Sequence, residues 1–388
     1  MDNEKYILAI FPSKYIKTGA HRRYRELVIG LTNRGYKVIC FSPKNHFGKR
    51  IYQYNHIKIN ENSIIPITLQ LVIQVLTNKN KKILKNNSII IVFGETTVLS
   101  AIVLKKLINA HLILGVRTSV TKDRELAIKS EGLNISKFNL RNKFILKVYL
   151  KLFSLYERIM YRYADVITVQ NEIDKENVLS ITQNNKNVIL IPNNINVHWI
   201  EKKELRDTNR SNKLHKIGFI GSLIERKGVC LLLSSYKELI EKGYDLELHI
   251  AGEGYLREYI ENFKETNNLR KIFLYGYISN PMEFAKDMDL IIVPSLIDSF
   301  PNVIFESWYV GTPVIGSKVG GIQYQLKYDK LLFKPDKAEI VNKIIQCLND
   351  DFYKEIRTLN NKRKKHFIFD WVGKYQDIIQ SLNNLNRE

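Results

Sequence analysis

Cysteine is scarce: Cys40, Cys230 and Cys347 are the only three in 388 residues, and they lie far apart. They are odd in number and none forms a CxxC pair, so neither a disulfide framework nor a zinc knuckle is suggested. A reducing compartment such as the cytosol fits best. Acidic residues are also few. Against 60 Lys+Arg there are 39 Asp+Glu, a net charge of +21. A field of that sign attracts polyanions such as nucleic acid, anionic lipid or phosphorylated ligands. A lysine-rich coding background would give the same balance. Long apolar runs are missing as well. The most apolar stretch, SIIIVFGETTVLSAIVL, is broken by Glu95 and gives no membrane-spanning length. The opening MDNEKYILAIF is acidic, with a short apolar run, and does not read as a secretory signal. A soluble or peripheral protein is expected, with no low-complexity tract and no short repeat.

What is present is a globular composition, 45% hydrophobic, in a chain long enough for two cores. Two stretches share one grammar. In the first, Ile7 to Phe11 reads as a strand, a loop reaches Gly19, and Arg23 to Asn33 has helical periodicity. Gly35 stops that helix and Val38 to Phe41 is the next strand. In the second, Ile217 to Ile220 is a strand followed by the loop GSLIERKG. A helix then runs from about Val229 to Lys242, and Leu246 to Ala251 is the next strand. Further strands are expected at 88–94, 110–117, 164–170, 187–193, 272–277 and 289–295. The pattern predicts an α/β protein of two facing Rossmann-like domains with parallel sheets and an active site in the cleft between them. Residues 1–200 form the first domain, the polar stretch 201–216 a linker, and 217–370 the second domain. The last helix, about 371–388, is expected to pack back on the first.

Ligands of such sheets sit at the carboxyl ends of the strands. The loop 221–228 follows a strand and opens a helix, placing Arg226 and Lys227 beside free backbone N–H groups, which suits a diphosphate. It is neither GxxxxGK[ST] nor GxGxxG, so a P-loop and a dinucleotide fingerprint are disfavoured. The same two residues also fit a solvated helix start. AGEGYLRE at 251–258 has a Gly-x-Gly but no third glycine. In IDSFPNVIFESWYVGTPVIGS (297–317), Ser299 is expected to cap a helix whose first turn holds Pro301. Asn302 and Glu306 share one face of that helix, and Glu306 leans toward its mouth. Asp298 lies in front of it. Amides for a phosphate and two acids for neighbouring hydroxyls would suit a sugar or ribose ligand. A capping Asp and a helix-surface Glu remain the other reading. Asp287 and Asp289 read as an ordinary polar strand edge, and no metal site is expected.

The segment PSLIDSFPNVIFESWYVGTPVIGSKVGG (294–321) resembles the donor-site signature of retaining glycosyltransferases of the two-Rossmann-domain (GT-B) type, most like family four. GFIGSLIERKG resembles that family's phosphate loop. YERIMYRYADVITVQNE and VILIPNNIN resemble the end of its first domain. The resemblance implies a nucleotide-sugar donor with no cofactor or metal. It implies that Glu306 holds the ribose and Lys227 the diphosphate, with Arg226 beside it. Asp298 and the backbone of Phe300, Pro301, Asn302 and Val303 would hold the donor sugar. Gly19, Gly221, Ser222 and Gly254 would line the glycine-containing loops. The leaving diphosphate would take the acceptor proton itself, so positioning and countercharge matter more than a protein base.

The chain departs from the pattern in four places. The first acid is Asp298 rather than Glu. Ser222 stands where an arginine is usual, with Arg226 as a substitute from across the loop. Pro192-Asn193-Asn194 replaces Pro-Asn-Gly, with Asn expected to tolerate the same left-handed backbone. Arg117 stands where a histidine is common. It cannot act as a base, and it could bind the donor sugar or an acceptor phosphate.

Residues 136–166 read as a long basic amphipathic segment. Between residues 137 and 162, Lys137, Arg141, Lys143, Lys147, Lys151, Arg158 and Arg162 face one acid, Glu157, with aromatic and aliphatic residues interleaved. Such a helix can lie in an anionic membrane interface. It also fits a domain helix with solvated lysines. The expected partners are therefore a nucleotide sugar, a saccharide or lipid-linked acceptor and an anionic membrane surface, in bacterial surface polysaccharide assembly. A sugar-nucleotide epimerase of the same build is the alternative. A nucleic-acid-binding protein is disfavoured, because no stacking aromatics line a basic groove.

Overall fold

The structure is a computed structural model that describes residues 6–10, 19–44, 54–58, 67–77, 84–85, 88–93, 97–117, 121, 140–195 and 213–384. Its described residues fall into two compact units. One runs from the first strand to Pro192 and takes in the helix that starts at Trp371. The other runs from Asn193 to Asp370.

The first unit is built on a seven-stranded sheet in the order β3-β2-β1-β4-β5-β6-β7. Its strands are β1 (Tyr6–Ile10), β2 (Lys37–Ser42), β3 (Tyr54–Lys58), β4 (Ser88–Phe93), β5 (His111–Gly115), β6 (Val166–Val169) and β7 (Asn187–Leu190). Every pairing is parallel. Parallel strands are covered on both faces, so they read as unbroken Ile/Val runs rather than alternating ones. SIIIVF is buried at its first five positions. The helices are α1 (Gly19–Asn33), α2 (Ile67–Thr77), α3 (Val98–Ile108), α4 (Leu140–Tyr163) and α5 (Glu172–Thr182). Helix α1 starts at Gly19, four residues before the periodicity does, so Gly19 opens a helix rather than lying in a loop.

The second unit has a six-stranded sheet in the order β10-β9-β8-β11-β12-β13. It contains β8 (Lys216–Ile220), β9 (Glu247–Ala251), β10 (Ile272–Gly276), β11 (Leu290–Val293), β12 (Val314–Ser317) and β13 (Leu332–Phe333). These too pair only in parallel. The helices are α6 (Val229–Glu241), α7 (Arg257–Thr266), α8 (Pro281–Lys286), α9 (Asn302–Tyr309), α10 (Gly320–Leu326), α11 (Lys337–Cys347) and α12 (Asp350–Lys365). In both sheets the strand order reverses beside the first strand, between β1 and β4 and between β8 and β11. That is where open α/β sheets leave a crevice at their carboxyl edge.

An aspartate ahead of a strand pins the amino edge of each sheet. Asp165 accepts from Leu112 N at 2.7 Å and from Lys105 Nζ at 2.6 Å. Asp289 accepts from the backbone N–H groups of His215 and Lys216 at 3.0 and 2.8 Å. So Asp289 is a clamp between neighbouring strands. Of the linker, residues 201–212 lie outside the described residues. The last helix, α13 (Trp371–Asn384), packs against α1 in the first unit: a Cβ at Gly30 would lie 2.6 Å from Val372 Cγ2.

Candidate active site

Four loops at the carboxyl edge of the second sheet lock together through their backbones. The β8–α6 loop ends in a 3-10 turn, Glu225–Lys227, and Gly228. Arg226 O accepts from Leu296 N at 2.8 Å, which joins this loop to the one after β11. Gly228 has φ +71°, and a Cβ there would sit 1.9 Å from Pro294 O. No side chain fits that gap. Gly221 N donates to Ala251 O at 3.0 Å, and Leu223 N to Glu253 O at 2.9 Å, which ties in the β9–α7 loop. A Cβ on Gly254 would meet Leu223 O at 2.2 Å, so the Gly-x-Gly there serves loop-to-loop packing. The β12–α10 loop closes the set, with Gly321 N donating to Asp298 O at 2.9 Å.

These contacts bring Lys227 to Asp298. The ammonium donates to Asp298 Oδ2, and Ser295 Oγ lies 3.5 Å from the same oxygen. Asp298 is 8% exposed and Glu306 3%. Pairing keeps both ions of the first couple compensated where water is scarce. The resemblance assigned Lys227 to the diphosphate and Asp298 to the sugar of one donor, and in the structure the two side chains pair with each other. Arg226 is half-buried beside them, and Ser222 is exposed.

Helix α9 starts at Asn302 with Pro301 at its N-cap and no side-chain cap bond, so Ser299 is not the cap. Proline has no N–H to satisfy, and its φ of −65° leads into the helix. The first-turn N–H groups have no partner within the helix. Asn302 is not free to face a ligand: its Oδ1 accepts from Asn193 Nδ2 at 3.0 Å. Asn194 Nδ2 reaches Phe369 O at 2.6 Å. Neither asparagine has positive φ. The Pro-Asn-Asn segment is thus held by its side chains and not by a left-handed turn. Phe300 is buried against Phe305, Tyr324 and Phe367, with ring centroids 5.7, 5.9 and 6.0 Å away. Its ring is core, and only its backbone remains for a ligand. Val303 is partly buried against the same core.

Two bracing residues were not legible in the sequence. Gln325 Nε2 donates to Pro301 O at 3.2 Å, and Arg363 Nε holds Gln325 O at 2.8 Å. Nothing in a helix-surface Gln or a basic helix end signals this.

In the first unit, Arg117 follows β5. Its guanidinium carbon lies 4.7 Å from the centroid of the Phe93 ring. Burial pulls its pKa down to about 10. Phe93 also meets Tyr24 at 5.0 Å and Tyr375 of α13 at 5.9 Å. Gly19 belongs to this unit and Lys227, Asp298 and Glu306 to the other.

Residues 201–366 match the family model described as "Glycosyl transferases group 1". Among curated proteins, the chain is similar to the capsular polysaccharide biosynthesis glycosyltransferase CapM of Staphylococcus aureus. They are 24% identical over 254 residues, which is 61% of this chain and 67% of that one. The chain spans about half the length of the curated relatives it matches first. Among solved structures, sucrose-phosphate synthase of Thermosynechococcus elongatus superposes with a TM-score of 0.75 at 17% identity, covering 99% of both chains. HepE of Anabaena, solved with UDP and glucose, gives 0.69 at 14% identity, covering 98% of this chain and 100% of that one. Residues 201–366 therefore carry a glycosyl transferases group 1 domain, and the chain as a whole has the two-Rossmann-domain fold of GT-B glycosyltransferases.

Proposed function

We propose that the protein transfers a sugar from a nucleoside-diphosphate donor to a saccharide or lipid-linked acceptor, with retention of anomeric configuration. The observation that carries this is the Lys227–Asp298 pair, set among interlocked strand-end loops, with Glu306 buried on helix α9 of the same unit. HepE's solved complexes with UDP and UDP-glucose support a nucleotide-sugar donor, and CapM supports a role in surface polysaccharide synthesis. In this proposal the donor diphosphate draws Lys227 away from Asp298, and Arg226 adds a second cation. The two supply the countercharge with no metal. Asp298 is then left facing the sugar, where positive charge grows as the C1–O bond breaks. The acceptor hydroxyl attacks on the same face, and its proton goes to the departing phosphate. Glu306 grips the ribose in ground and transition states alike, so its loss falls on KM rather than kcat.

The test is calorimetry with UDP, GDP and ADP on the wild type, followed by Glu306→Ala. One nucleoside diphosphate should bind, and the variant should weaken it and raise the donor KM. If none binds, the donor-site reading fails.

The proposed place of work is the cytoplasmic face of a membrane. No helix among the described residues is long and apolar enough to cross one. Helix α4 instead exposes Phe144, Ile145, Val148, Leu152 and Leu155 beside exposed Lys147, Lys151 and Arg158. Apolar side chains flanked by cations suit an anionic lipid interface. Other parts of α4 are structural: Glu157 is buried and accepts from Thr121 at 2.7 Å and Tyr161 at 2.8 Å. Lys147→Glu with Lys151→Glu should release the protein from equimolar phosphatidylglycerol–phosphatidylcholine vesicles without lowering Tm. A wild type that does not bind them would remove the membrane from the proposal.

A further inference from the structure

We infer that Gln325 is a positioning residue for glycosyl transfer, acting through Pro301 to keep the backbone N–H groups of the 298–302 loop turned toward the sugar end of the donor. The inference rests on the glycosyltransferase reading above and assigns a residue that reading leaves out.

Three carbonyl groups of the loop point one way, at helix α10. Asp298 O accepts from Gly321 N at 2.9 Å, and Pro301 O accepts from Gln325 Nε2 at 3.2 Å. Ser299 O lies against Gly321, where a Cβ would come within 1.5 Å of it. Gly320, at φ +44°, leaves similar room beside Asp298 O. In a planar trans peptide the next N–H runs antiparallel to each C=O. The N–H groups of Ser299, Phe300 and Asn302 are therefore turned away from α10. Among the described residues, no acceptor of the chain meets the N–H of Phe300 or Asn302.

Pro301 is the joint of this arrangement. It has no N–H and its ring forms no hydrogen bond, so only its C=O can be held. Ile304 N reaches that oxygen at 3.4 Å, and Gln325 Nε2 adds the second bond. Gln325 is fixed from behind in turn. Arg363 Nε donates to Gln325 O and Arg363 Nη2 to Tyr324 O, both at 2.8 Å. As packing alone, Gln325 is costly. It is fully buried, yet its Oε1 has no hydrogen-bond partner. A buried unmet amide oxygen destabilises, and an apolar side chain of similar length would avoid that. What the amide gains lies at its other end, in the bond to Pro301 O.

The experiment compares wild type with Gln325→Met, which keeps the length and loses both the donor and the unmet oxygen. Tm should hold or rise. With UDP-glucose, GDP-mannose or ADP-glucose, whichever the wild type uses, kcat should fall about ten- to a hundredfold, the effect of a small misplacement of reacting groups. Affinity for the matching nucleoside diphosphate should be unchanged, because Lys227 and Glu306 are untouched. Gln325→Glu sets a carboxylate against Pro301 O and should lose more at neutral pH. Burial raises the pKa of such a carboxyl, so acidification should protonate it, restore a donor and narrow the gap to wild type. Hydrogen–deuterium exchange reads the brace without any substrate. In Gln325→Met the peptide 298–309 should exchange faster, while β8 and α6 keep wild-type rates. Full kcat in Gln325→Met, or unchanged exchange in that peptide, overturns the inference. So does a fall in Tm with faster exchange throughout the second unit, which would make Gln325 a packing residue. A wild type that turns over none of the three sugars counts against the glycosyltransferase reading instead, and exchange alone then decides whether Gln325 sets this loop.

Discussion

The carboxyl edges of the two sheets handle charge in opposite ways. In the second unit the cation Lys227 already has its anion, Asp298, and the loops that carry them are fixed backbone to backbone. In the first unit the cation Arg117 has an aromatic ring on one side and two unmet donors on the other. A paired cation can be exchanged onto an incoming phosphate, at the cost of separating the pair. Arg117 has no such partner to give up, and burial against Phe93 holds it in place. The first arrangement has a charge to hand over to a ligand, and the second is part of the packing.

Breaking the backbone lock should have the largest effect. Gly228→Ala forces a Cβ to within 1.9 Å of Pro294 O at a φ of +71°. Left-handed strain and overpacking together predict a loss of about 2–5 kcal/mol. Gly243 has φ +85° but nothing within 4 Å of a Cβ, so Gly243→Ala should cost only about 1 kcal/mol. Chemical denaturation of both variants compares them. Equal losses would mean that the loop junction is not locked.

The paired charges can then be separated. Lys227→Ala should weaken nucleoside diphosphate about ten- to a hundredfold. Asp298→Asn frees Lys227 from its partner, so nucleotide affinity should hold or tighten while kcat falls about ten- to a thousandfold. Titration calorimetry with steady-state kinetics distinguishes them. If Asp298→Asn weakens nucleotide as much as Lys227→Ala does, the pair is a brace rather than part of the site.

A smaller effect is expected at the opposite edge of the first sheet. Burial works to raise the pKa of Asp165, but hydrogen bonds from His111, Lys105 and Leu112 outweigh it and hold the carboxyl at about 2. Its folded pKa lies below the unfolded value near 3.8, so its contribution is present above about pH 4 and is lost as pH falls toward 2. Asp165→Asn should cost about 1–2 kcal/mol at neutral pH, after allowing for its solvent exposure. The variant should also flatten the acid limb of stability between those values. An unchanged acid limb would show that the clamp carries no net charge effect.

The unbroken Ile/Val runs, the glycine stops and the repeated strand–loop–helix grammar were enough to give two parallel α/β sheets, because burial on both faces leaves its mark residue by residue. The same local signals placed Lys227 and Asp298 in loops at strand ends and Glu306 on the helix that follows. Short or weakly apolar strands escaped: Tyr54–Lys58, Val314–Ser317 and Leu332–Phe333 pair only because neighbouring strands supply the partners. Helix α1 began at Gly19, ahead of the periodic stretch that starts at Arg23. That Lys227 pairs with Asp298, that Asn193 clasps Asn302 and that Gln325 and Arg363 brace Pro301 could not be read from the chain. Periodicity reports which face of an element is buried, and it carries no information on which loop meets which. The state of Arg117 was decided in the same way. Its identity is local, but its burial against Phe93 and the absence of an acceptor on its Nε–Nη2 edge come from β4, α1 and α13 closing around it. Only the packed fold brings these distant segments together and sets the cost of burying that charge.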